Sequence, residues 1–396
     1  RQPAEAVAAG SYRLSGLSPR TVYYVALTNS QAPEGAEDYN VRRFRTGGMP
    51  AGAVSVTDGA DLYARIKAGM EDASLSELVF CLQNGVDYYL NEEGAADGKT
   101  GTITLTKSIA LLAEPGEHPT LYVREGGFQV GTDPHIDYFT VENVDVEENV
   151  PDNSRGSKTY LFGVGKRSAG NDCTIDRFEL VNSAVMLPTG VIMMNEANDG
   201  VTTINHIRID NCRVTGINDT KLVTKQFGFI HAPKKGGNVW NDVRVTNSTF
   251  HEFYISPGVF GSLTADATVT EGGNVSISNC TFYNWATKKT SYTAVGDFSE
   301  LAVPLNLSVS GCLFGYSAGK ILDAGVCNTT VRNNYCTTDF EQLSSPGLTL
   351  VSLDTTDETL FLDAAAGDFT LIDGSSVVYQ QEYGDPRWIP VDADVK

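Results

Sequence analysis

The segment VTTINHIRIDNCRVTGI, residues 201–217, shares a pattern with GGNVSISNCTFYNW, residues 272–285. In both segments two apolar β-branched residues lie two positions apart, and Asn follows two positions later. Cys comes next, and an apolar residue lies two positions beyond it. Alternating apolar and polar residues predict a β-strand, and Asn tolerates the left-handed backbone that a sharp bend requires. The pattern therefore predicts a strand, a corner and a second strand.

Seven segments carry this pattern, and their corners fall at Asn143, Asn182, Asn211, Asn247, Asn279, Gly311 and Asn333. Subtracting successive positions gives spacings of 39, 29, 36, 32, 32 and 22 residues. A constant core with variable spacing indicates one structural unit per repeat, with loops of different length between units. Each unit has an apolar face that it cannot bury alone. We therefore predict coils stacked in parallel, with the corner Asn side chains hydrogen-bonded along the stack.

A leucine-rich-repeat horseshoe is the alternative architecture, because its consensus also has Asn or Cys after a short strand. That fold needs a shorter, nearly fixed period and repeated Leu. Here the spacing is irregular and the apolar positions hold Val, Ile, Phe and Thr. The pattern favours the all-β parallel β-helix.

The charge balance restricts the partners of this chain. It has 29 Lys and Arg against 49 Asp and Glu in 396 residues, a net charge of −20. This charge argues against nucleic acid and anionic membranes as partners. It also disfavours acidic polysaccharides unless a basic patch or a divalent cation offsets the field. No run is long and apolar enough to span a membrane.

Seven cysteines are present, and Cys212, Cys280 and Cys312 all directly follow a corner. Small apolar fillers are the better interpretation of these three, so we predict free thiols. No pair has the spacing of a zinc site, and the sequence identifies no metal ligands. Calcium stays possible because the acidic turn NEANDG, residues 195–200, offers oxygen ligands.

A helix is predicted before the repeats, with Asp61 as its N-cap and Leu62, Ile66 and Met70 on one face. Two strand-rich segments follow, ELVFCLQNGVDYYL (77–90) and GTITLTKSIALLAEPGEHPTLYV (101–123). This order resembles the opening of pectin-lyase-like right-handed parallel β-helices. The resemblance implies a right-handed coil and a helix that covers the open end of the first coil.

The segment DAAAGDFTLIDGSSVVYQQEYGDPRWIP, residues 363–390, resembles the last coil and tail of secreted polysaccharide-active β-helix proteins. Residues 50–396 as a whole resemble surface β-helix proteins of gut Bacteroidetes, whose domains are of unknown function. The resemblance implies a protein that is secreted or held at the outer surface of a bacterial cell, with its signal sequence not in this chain. It also implies a carbohydrate-rich setting.

The first 49 residues differ from the rest. LSGLSPRTVYYVALTNS (14–30) and VRRFRT (41–46) resemble the second half of a fibronectin type III module. We therefore predict a partial fibronectin-like segment over 1–49 and a β-helix domain over 50–396. Within that domain the helix cap is expected at 50–78, the coils at 79–354 and a C-terminal cap at 355–396.

In pectin-lyase-like folds the active groove lies along the strands that follow the variable loops. Here this places His231, Lys234 and Lys235 near Asn195 and Glu196. In a uronate lyase His231 or a lysine would serve as the base, and the lysine pair would neutralise the substrate carboxylate. The plainer interpretation is a strand histidine and a solvated turn.

Four further residues are candidates for substrate binding. Asp297 is expected about two rungs beyond this cluster. Trp240 could stack on a sugar if it is exposed, as could Tyr254 and Trp285, although each could instead lie in the core.

The motifs of the known activities are missing. The Asn-Thr-Asp, Asp-Asp and Gly-His-Gly stretches of polygalacturonase-like enzymes are absent, as is the Arg-x-Pro-x-x-Arg run of pectate lyases. We expect a monomer that binds or displays polysaccharide along a β-helix flank without catalysis. A polysaccharide lyase with a non-standard site is the alternative, and an adhesin or autotransporter-stalk-like role is the third hypothesis.

Overall fold

The protein is a parallel β-helix in which two ten-stranded sheets and a third, interrupted sheet are all parallel. The computed structural model describes residues 17, 22–26, 41–46, 48–96, 98, 101–124, 126–131, 135–148, 159–165, 167, 169–187, 190–194, 200–216, 228–232, 237–252, 273–284, 293–299, 301, 303–343 and 348–390. The all-β fold class expected from the repeats is confirmed, and the horseshoe alternative is excluded.

Sheet 1 contains the strands that lead into the Asn corners, and every neighbouring pair in it is parallel. Its strands are Val54–Val56, Glu77–Leu82, Ser108–Leu112, His135–Glu142, Cys173–Val181, Val201–Asp210, Gly237–Thr246, Asn274–Ser278, Asn306–Ser310 and Asn328–Arg332.

Sheet 2 contains the strands that leave the corners and has the same order along the stack. Its strands are Asp87–Leu90, Thr120–Val123, Asp145–Glu148, Ala184–Met186, Arg213–Thr215, Thr249–His251, Thr281–Tyr283, Leu313–Phe314, Tyr335–Cys336 and Val351–Ser352.

Sheet 3 forms the third side of the coils and consists of two blocks among the described residues. The first block has the strands Ile103–Leu105, Phe128–Val130, Phe162–Gly163, Ile192–Met193 and Ile230–His231. The second has Thr293–Asp297, Ser317–Asp323 and Phe340–Gln342.

The corners behave as the repeat pattern predicts. All six corner Asn residues have a left-handed backbone with φ between 51° and 58°, and Gly311 has φ 65°. Each corner residue from Asn143 to Gly311 donates its backbone N–H to the last strand residue of the next coil, at 2.9–3.1 Å. The corners therefore lie in one column, one coil apart, and the predicted repeat alignment is confirmed.

The side-chain ladder is continuous over only part of this column. The Nδ2 of Asn182 donates to Oδ1 of Asn143, and the Nδ2 of Asn211 donates to Oδ1 of Asn182, both at 2.7 Å. At the next corner the Nδ2 of Asn247 donates to Oδ1 of Asp210 instead, at 2.9 Å. A carboxylate is a stronger acceptor than an amide oxygen, so Asn247 bonds to Asp210 and not to Asn211. The predicted ladder of corner Asn side chains is therefore interrupted at this coil.

The core is a continuous apolar stack along the coils. Phe250, Phe282 and Phe314 lie one above another on the inner face of sheet 2, with ring centroids 5.4 and 5.0 Å apart. Cys212, Cys280 and Cys312 are fully buried beside them, and all seven cysteines are free thiols, as predicted for these three. Burial raises the pKa of the Cys212 thiol to about 12.

The predicted N-terminal helix, α1, spans Leu62–Glu71 and buries Leu62, Ile66 and Met70. It packs against the strands Glu77–Leu82, Asp87–Leu90 and Ile103–Leu105. The expected N-cap is wrong in detail, because Asp61 makes no capping bond and Asp58 instead accepts from the Ala60 N–H at 3.0 Å in the preceding 3-10 turn, Gly59–Asp61. That turn satisfies the first orphan donors before the α-helix begins.

The C-terminal part forms a second apolar cluster against the last coils. It consists of α2 (Asp357–Leu360), the antiparallel strands Phe361–Asp363 and Asp368–Leu371, α3 (Val377–Gln380), and the 3-10 turns Ala364–Ala366 and Pro386–Trp388. In the first 49 residues the structure describes one antiparallel pair, Val22–Ala26 with Val41–Arg45. The fibronectin-like assignment and the domain boundaries stay predictions.

A C-terminal strap, residues 384–388, crosses the corners of four coils. The Gly384 N–H donates to the Gly311 carbonyl at 2.8 Å, and the Asp385 N–H donates to the Thr281 hydroxyl at 3.0 Å. Further along, Arg387 Nη2 donates to Asn211 Oδ1 at 2.9 Å. The strap therefore ties successive coils together where the Asn side-chain ladder is interrupted.

Candidate functional site

The strands predicted to carry the groove form sheet 3 where the structure describes them, and GVFGS (258–262) lies outside the described residues. The segments around Phe162–Gly163, Ile192–Met193 and Ile230–His231 pair in register, and Thr293–Asp297 pairs with Ser317–Asp323. Lys234, Lys235, Asn195 and Glu196 lie outside the described residues, as do 195–199 of the acidic turn suggested for calcium. Whether these residues form one cleft therefore stays a prediction.

His231 ends the last strand of the first block of sheet 3 and is paired in register with Met193. The residue is half-buried, and burial lowers the pKa of its imidazole to about 4. The ring is therefore neutral at neutral pH. A neutral imidazole can accept a proton, but a pKa near 4 makes it a weak base for abstracting a C5 proton.

Asp297 lies in the second block of sheet 3, paired in register with Asp323. Its Oδ1 accepts from the backbone N–H of Ser299 at 3.0 Å and from the Ser299 hydroxyl at 2.5 Å. The carboxylate therefore stabilises the turn that follows its own strand. A role in substrate binding stays a prediction.

Trp240 is not at the surface. It is 2% exposed and faces the core, paired in register with the buried Ile204. Its ring cannot stack on a sugar outside the coil, so the structure corrects its place among the substrate-binding candidates. The other two aromatic candidates, Tyr254 and Trp285, lie outside the described residues.

The outer face of sheet 1 carries aligned columns of amides and hydroxyls. Asn274, Asn306 and Asn328 are in register, and beside them run Ser276, Ser308 and Thr330. The amides form a ladder in which Asn306 Nδ2 donates to Asn274 Oδ1 at 3.2 Å and Asn328 Nδ2 donates to Asn306 Oδ1 at 3.3 Å. Because inward and outward residues alternate, this polar face lies directly over the apolar core.

These columns line a shallow groove of about 650 Å³, which we call the amide groove. It is lined by Asp242, Arg244 and Thr246 and by residues 274–276, 278, 306–308 and 328–330 of the next three strands. A carboxamide offers two N–H donors and two acceptor lone pairs, and a hydroxyl offers one donor and two. An amide and a hydroxyl recur on the three coils at Asn274, Asn306 and Asn328, at a repeat of about 4.8 Å.

The amide groove is close to electrically neutral. Among the described residues that line it, Asp242 and Arg244 carry the charges, and Arg244 Nε lies 3.0 Å from Asp242 Oδ2. On the neighbouring coil Asp210 is held by Arg208, with Nη2 to Oδ2 at 2.6 Å. Although burial raises the pKa of Asp210, its bonds to the Thr246 hydroxyl and the Arg208 guanidinium hold that pKa below its ordinary value.

Sequence reasoning missed this face although its signal is present. NVSIS (274–278), NLSVS (306–310) and NTTVR (328–332) each begin with Asn and have Ser or Thr two positions later, and the first two alternate polar with apolar residues. The repeat was identified from its apolar and corner positions alone, without the outward positions between them. Reading the same strands for what repeats on the outside would have found the columns.

The described part of the chain is thus a parallel β-helix with a neutral, hydrogen-bonding groove along one flank. The family described as a domain of unknown function, DUF5123, matches residues 275–388 of the 396. The matched region contains most of the amide groove and the whole C-terminal strap. No curated protein and no solved structure is similar to this chain in the same comparisons.

The helices that the structure describes are all too short or too polar to cross a lipid bilayer.

Proposed function

We propose that this protein binds a neutral polysaccharide along the amide groove and does not cleave it. The observation that supports this most is the repetition of the same amide and hydroxyl pair on successive coils. Only a ligand that repeats along its own length can hydrogen-bond to every copy of this pair. A polysaccharide does so, because it presents hydroxyl donors and acceptors on every unit. The shallow form of the groove suits an extended chain better than a small molecule.

The charge of the groove supports a neutral ligand. Asp242 and Arg244 compensate each other, and the chain as a whole carries a net charge of −20. A polyuronate would approach against this field without a local excess of cations. Binding of a neutral glycan is not weakened by this electrostatic repulsion, so neutral glycans are the proposed ligand class.

The proposal also covers the fold family of the protein and its location relative to the cell. We infer a pectin-lyase-like β-helix in which α1 covers the first coil, and a location outside the cell or on its outer surface. The resemblance of residues 50–396 to exported β-helix proteins supports both statements, together with the apolar face that α1 presents to the first strands.

The lyase stays the second candidate, and His231 supports it, because its neutral ring lies in sheet 3, among the strands predicted to carry the groove. A uronate β-elimination there would give an unsaturated product with ultraviolet absorbance. His231→Ala and Lys234→Ala would abolish such turnover if this site is the catalytic one.

The test is a panel of neutral and acidic polysaccharides, assayed for binding by affinity electrophoresis and for turnover. We expect retardation by at least one neutral polysaccharide, no new reducing ends and no rise in ultraviolet absorbance. Turnover that is lost in His231→Ala would replace the proposal with the lyase. Binding restricted to acidic polysaccharides would contradict the neutral class.

A further inference from the structure

A second outward column occurs where four successive strands of sheet 1 bend together. Between the buried Ile136 and Phe139 both intervening residues face outward, and the next three coils repeat this arrangement. The first member of each outward pair forms the column Asp137, Asp176, Asn205 and Asn241. The later strands of the amide groove have no such bend.

The column ends at a histidine that contacts two carboxylates at once. His135 Nε2 lies 3.2 Å from Asp137 Oδ1 and 3.1 Å from Asp176 Oδ2. A ring nitrogen carries at most one hydrogen, so it cannot make a straight hydrogen bond to both oxygens. A cation in place of that hydrogen would contact all three atoms, which lie within 4.8 Å of one another.

The surroundings orient the carboxylate of Asp176 and fix the backbone of Asp137. Asn205 Nδ2 donates to Asp176 Oδ1 at 2.8 Å and is itself fixed by Asn241, whose Nδ2 donates to Asn205 Oδ1 at 2.7 Å. This leaves Asp176 Oδ2 directed at the imidazole. The hydroxyl of the buried Ser108 accepts from the Asp137 N–H at 3.0 Å and so fixes the start of the bend. Such outer bonds orient metal ligands in known sites.

We propose that His135, Asp137 and Asp176 bind a divalent first-row transition ion of the Zn²⁺ type. One imidazole nitrogen with two carboxylate oxygens is a donor set for these ions, whereas Ca²⁺ prefers six to eight oxygens. Bonds of about 2.0–2.1 Å to Zn²⁺ put tetrahedral ligands about 3.3 Å apart. The distances from His135 Nε2 to Asp137 Oδ1 and to Asp176 Oδ2, 3.2 and 3.1 Å, are close to this ligand–ligand distance.

The neighbouring Arg177 contacts groups other than the three proposed ligands. The guanidinium of Arg177 lies over the Tyr138 ring, 5.6 Å from its centroid, and reaches Glu179 at 4.0 Å. A groove of about 480 Å³ opens beside Asp137 and Asp176, which leaves room for water or a ligand oxygen at the remaining coordination positions. The site is independent of glycan binding in the amide groove.

The experiment titrates the purified chain with Zn²⁺ and follows the melting temperature, with Co²⁺ absorption as a second readout of ligand geometry. We expect Zn²⁺ to raise the melting temperature, and His135→Ala and Asp176→Asn each to weaken Zn²⁺ affinity at least about tenfold. His206→Ala is the matched control, because His206 lies on the same face and contacts the single carboxylate of Asp242 at 3.4 Å. It should leave Zn²⁺ affinity unchanged.

Melting temperatures of the metal-free variants separate lost affinity from misfolding. The proposal is overturned if Zn²⁺ does not bind, if His135→Ala binds it as tightly as the wild type, or if Ca²⁺ stabilises the protein as well as Zn²⁺ does. An equal loss of affinity in His206→Ala would also overturn it.

Discussion

At the scale of single residues, the corner Asn is chosen for its backbone and its side chain together. Ala in the left-handed region costs about 1–2 kcal/mol, and Asn tolerates it better. Asn182 also donates one ladder bond and accepts another, both at 2.7 Å. Gly311 fills a corner without a side chain, and a Cβ built there would lie 2.4 Å from Asn279 Oδ1. Backbone freedom and side-chain bonding are therefore separable at these positions.

Substitution at Asn182 separates the two contributions. We expect Asn182→Ala to lower the free energy of unfolding by about 2–4 kcal/mol, since it adds backbone strain and removes two hydrogen bonds. Asn182→Gly keeps the backbone conformation and should cost less, about 1–2 kcal/mol. Urea denaturation measures both. Equal losses in the two variants would show that the left-handed backbone carries no cost here.

Asp385 gives a pH dependence of known sign. Its side chain is fully buried, and burial outweighs the nearby Arg387 and raises its pKa from 3.8 to about 6. A raised pKa in the folded state means that the folded protein holds the proton more tightly. This carboxyl therefore contributes stability that is complete below pH 3.8 and is lost as pH rises through 6.

The variant Asp385→Asn should remove this dependence. Its free energy of unfolding, relative to the wild type, should rise between pH 4 and pH 6.5 by up to about 3 kcal/mol. Asp373→Asn is the control, because bonds from Ser375 lower the pKa of that exposed carboxyl. Its difference from the wild type should stay nearly constant over this range and change in the opposite direction only at pH values near and below 3.8. A flat difference for Asp385→Asn would contradict the buried, partly protonated carboxyl.

At the scale of elements, the C-terminal strap replaces the bonds that the Asn ladder lacks. Thr249 donates to Asp385 Oδ2 at 2.7 Å and accepts from Trp388 Nε1 at 2.6 Å. Arg387 reaches back to Asn211 and also lies 3.2 Å from Asp385. The strap thus connects strands of sheet 2 across coils that are far apart in sequence.

Arg387→Met tests this connection. It should lower the free energy of unfolding by about 3 kcal/mol, because it leaves the buried carboxylate of Asp385 without its charged partner. Hydrogen exchange should accelerate in Thr249–His251 and Thr281–Tyr283. Combining it with Asp385→Asn should recover part of the loss. Arg332→Met is the control, because it changes an exposed arginine at the end of sheet 1. It should neither lower the free energy of unfolding by this amount nor accelerate hydrogen exchange in those two strands.

The repeat predicted the elements well, and its failures have physical causes. Counting back from the inward Val243 in steps of two would give Trp240 an outward position, the exposure on which a sugar-binding role depends. The bend at Asn241 and Asp242 adds one outward residue, and this reverses the orientation of everything before it. The ladder break at Asn247 depends on Asp210 and on a strap residue 176 positions away from Asn211, which no local pattern reports.

At the scale of the whole molecule, the stacking that buries the core also repeats the surface. Each coil adds an inward set of mostly apolar residues, and the three coils at Asn274, Asn306 and Asn328 also add the same outward amide and a hydroxyl, so part of the flank becomes a regular lattice. The fold could be predicted because the inward repeat is apolar and periodic. The groove could not, since its concave form depends on how neighbouring coils are placed against one another.

The most direct test of glycan binding on this flank is a pair of arginine substitutions. Ser308→Arg places a long side chain in the middle of the amide groove, and Met186→Arg adds the same charge at a site that is 46% exposed on sheet 2. Both variants are titrated with the neutral polysaccharide that binds the wild type most tightly. We predict that Ser308→Arg weakens binding at least about tenfold while Met186→Arg leaves it unchanged. Equal affinity of the two variants would contradict binding in the amide groove.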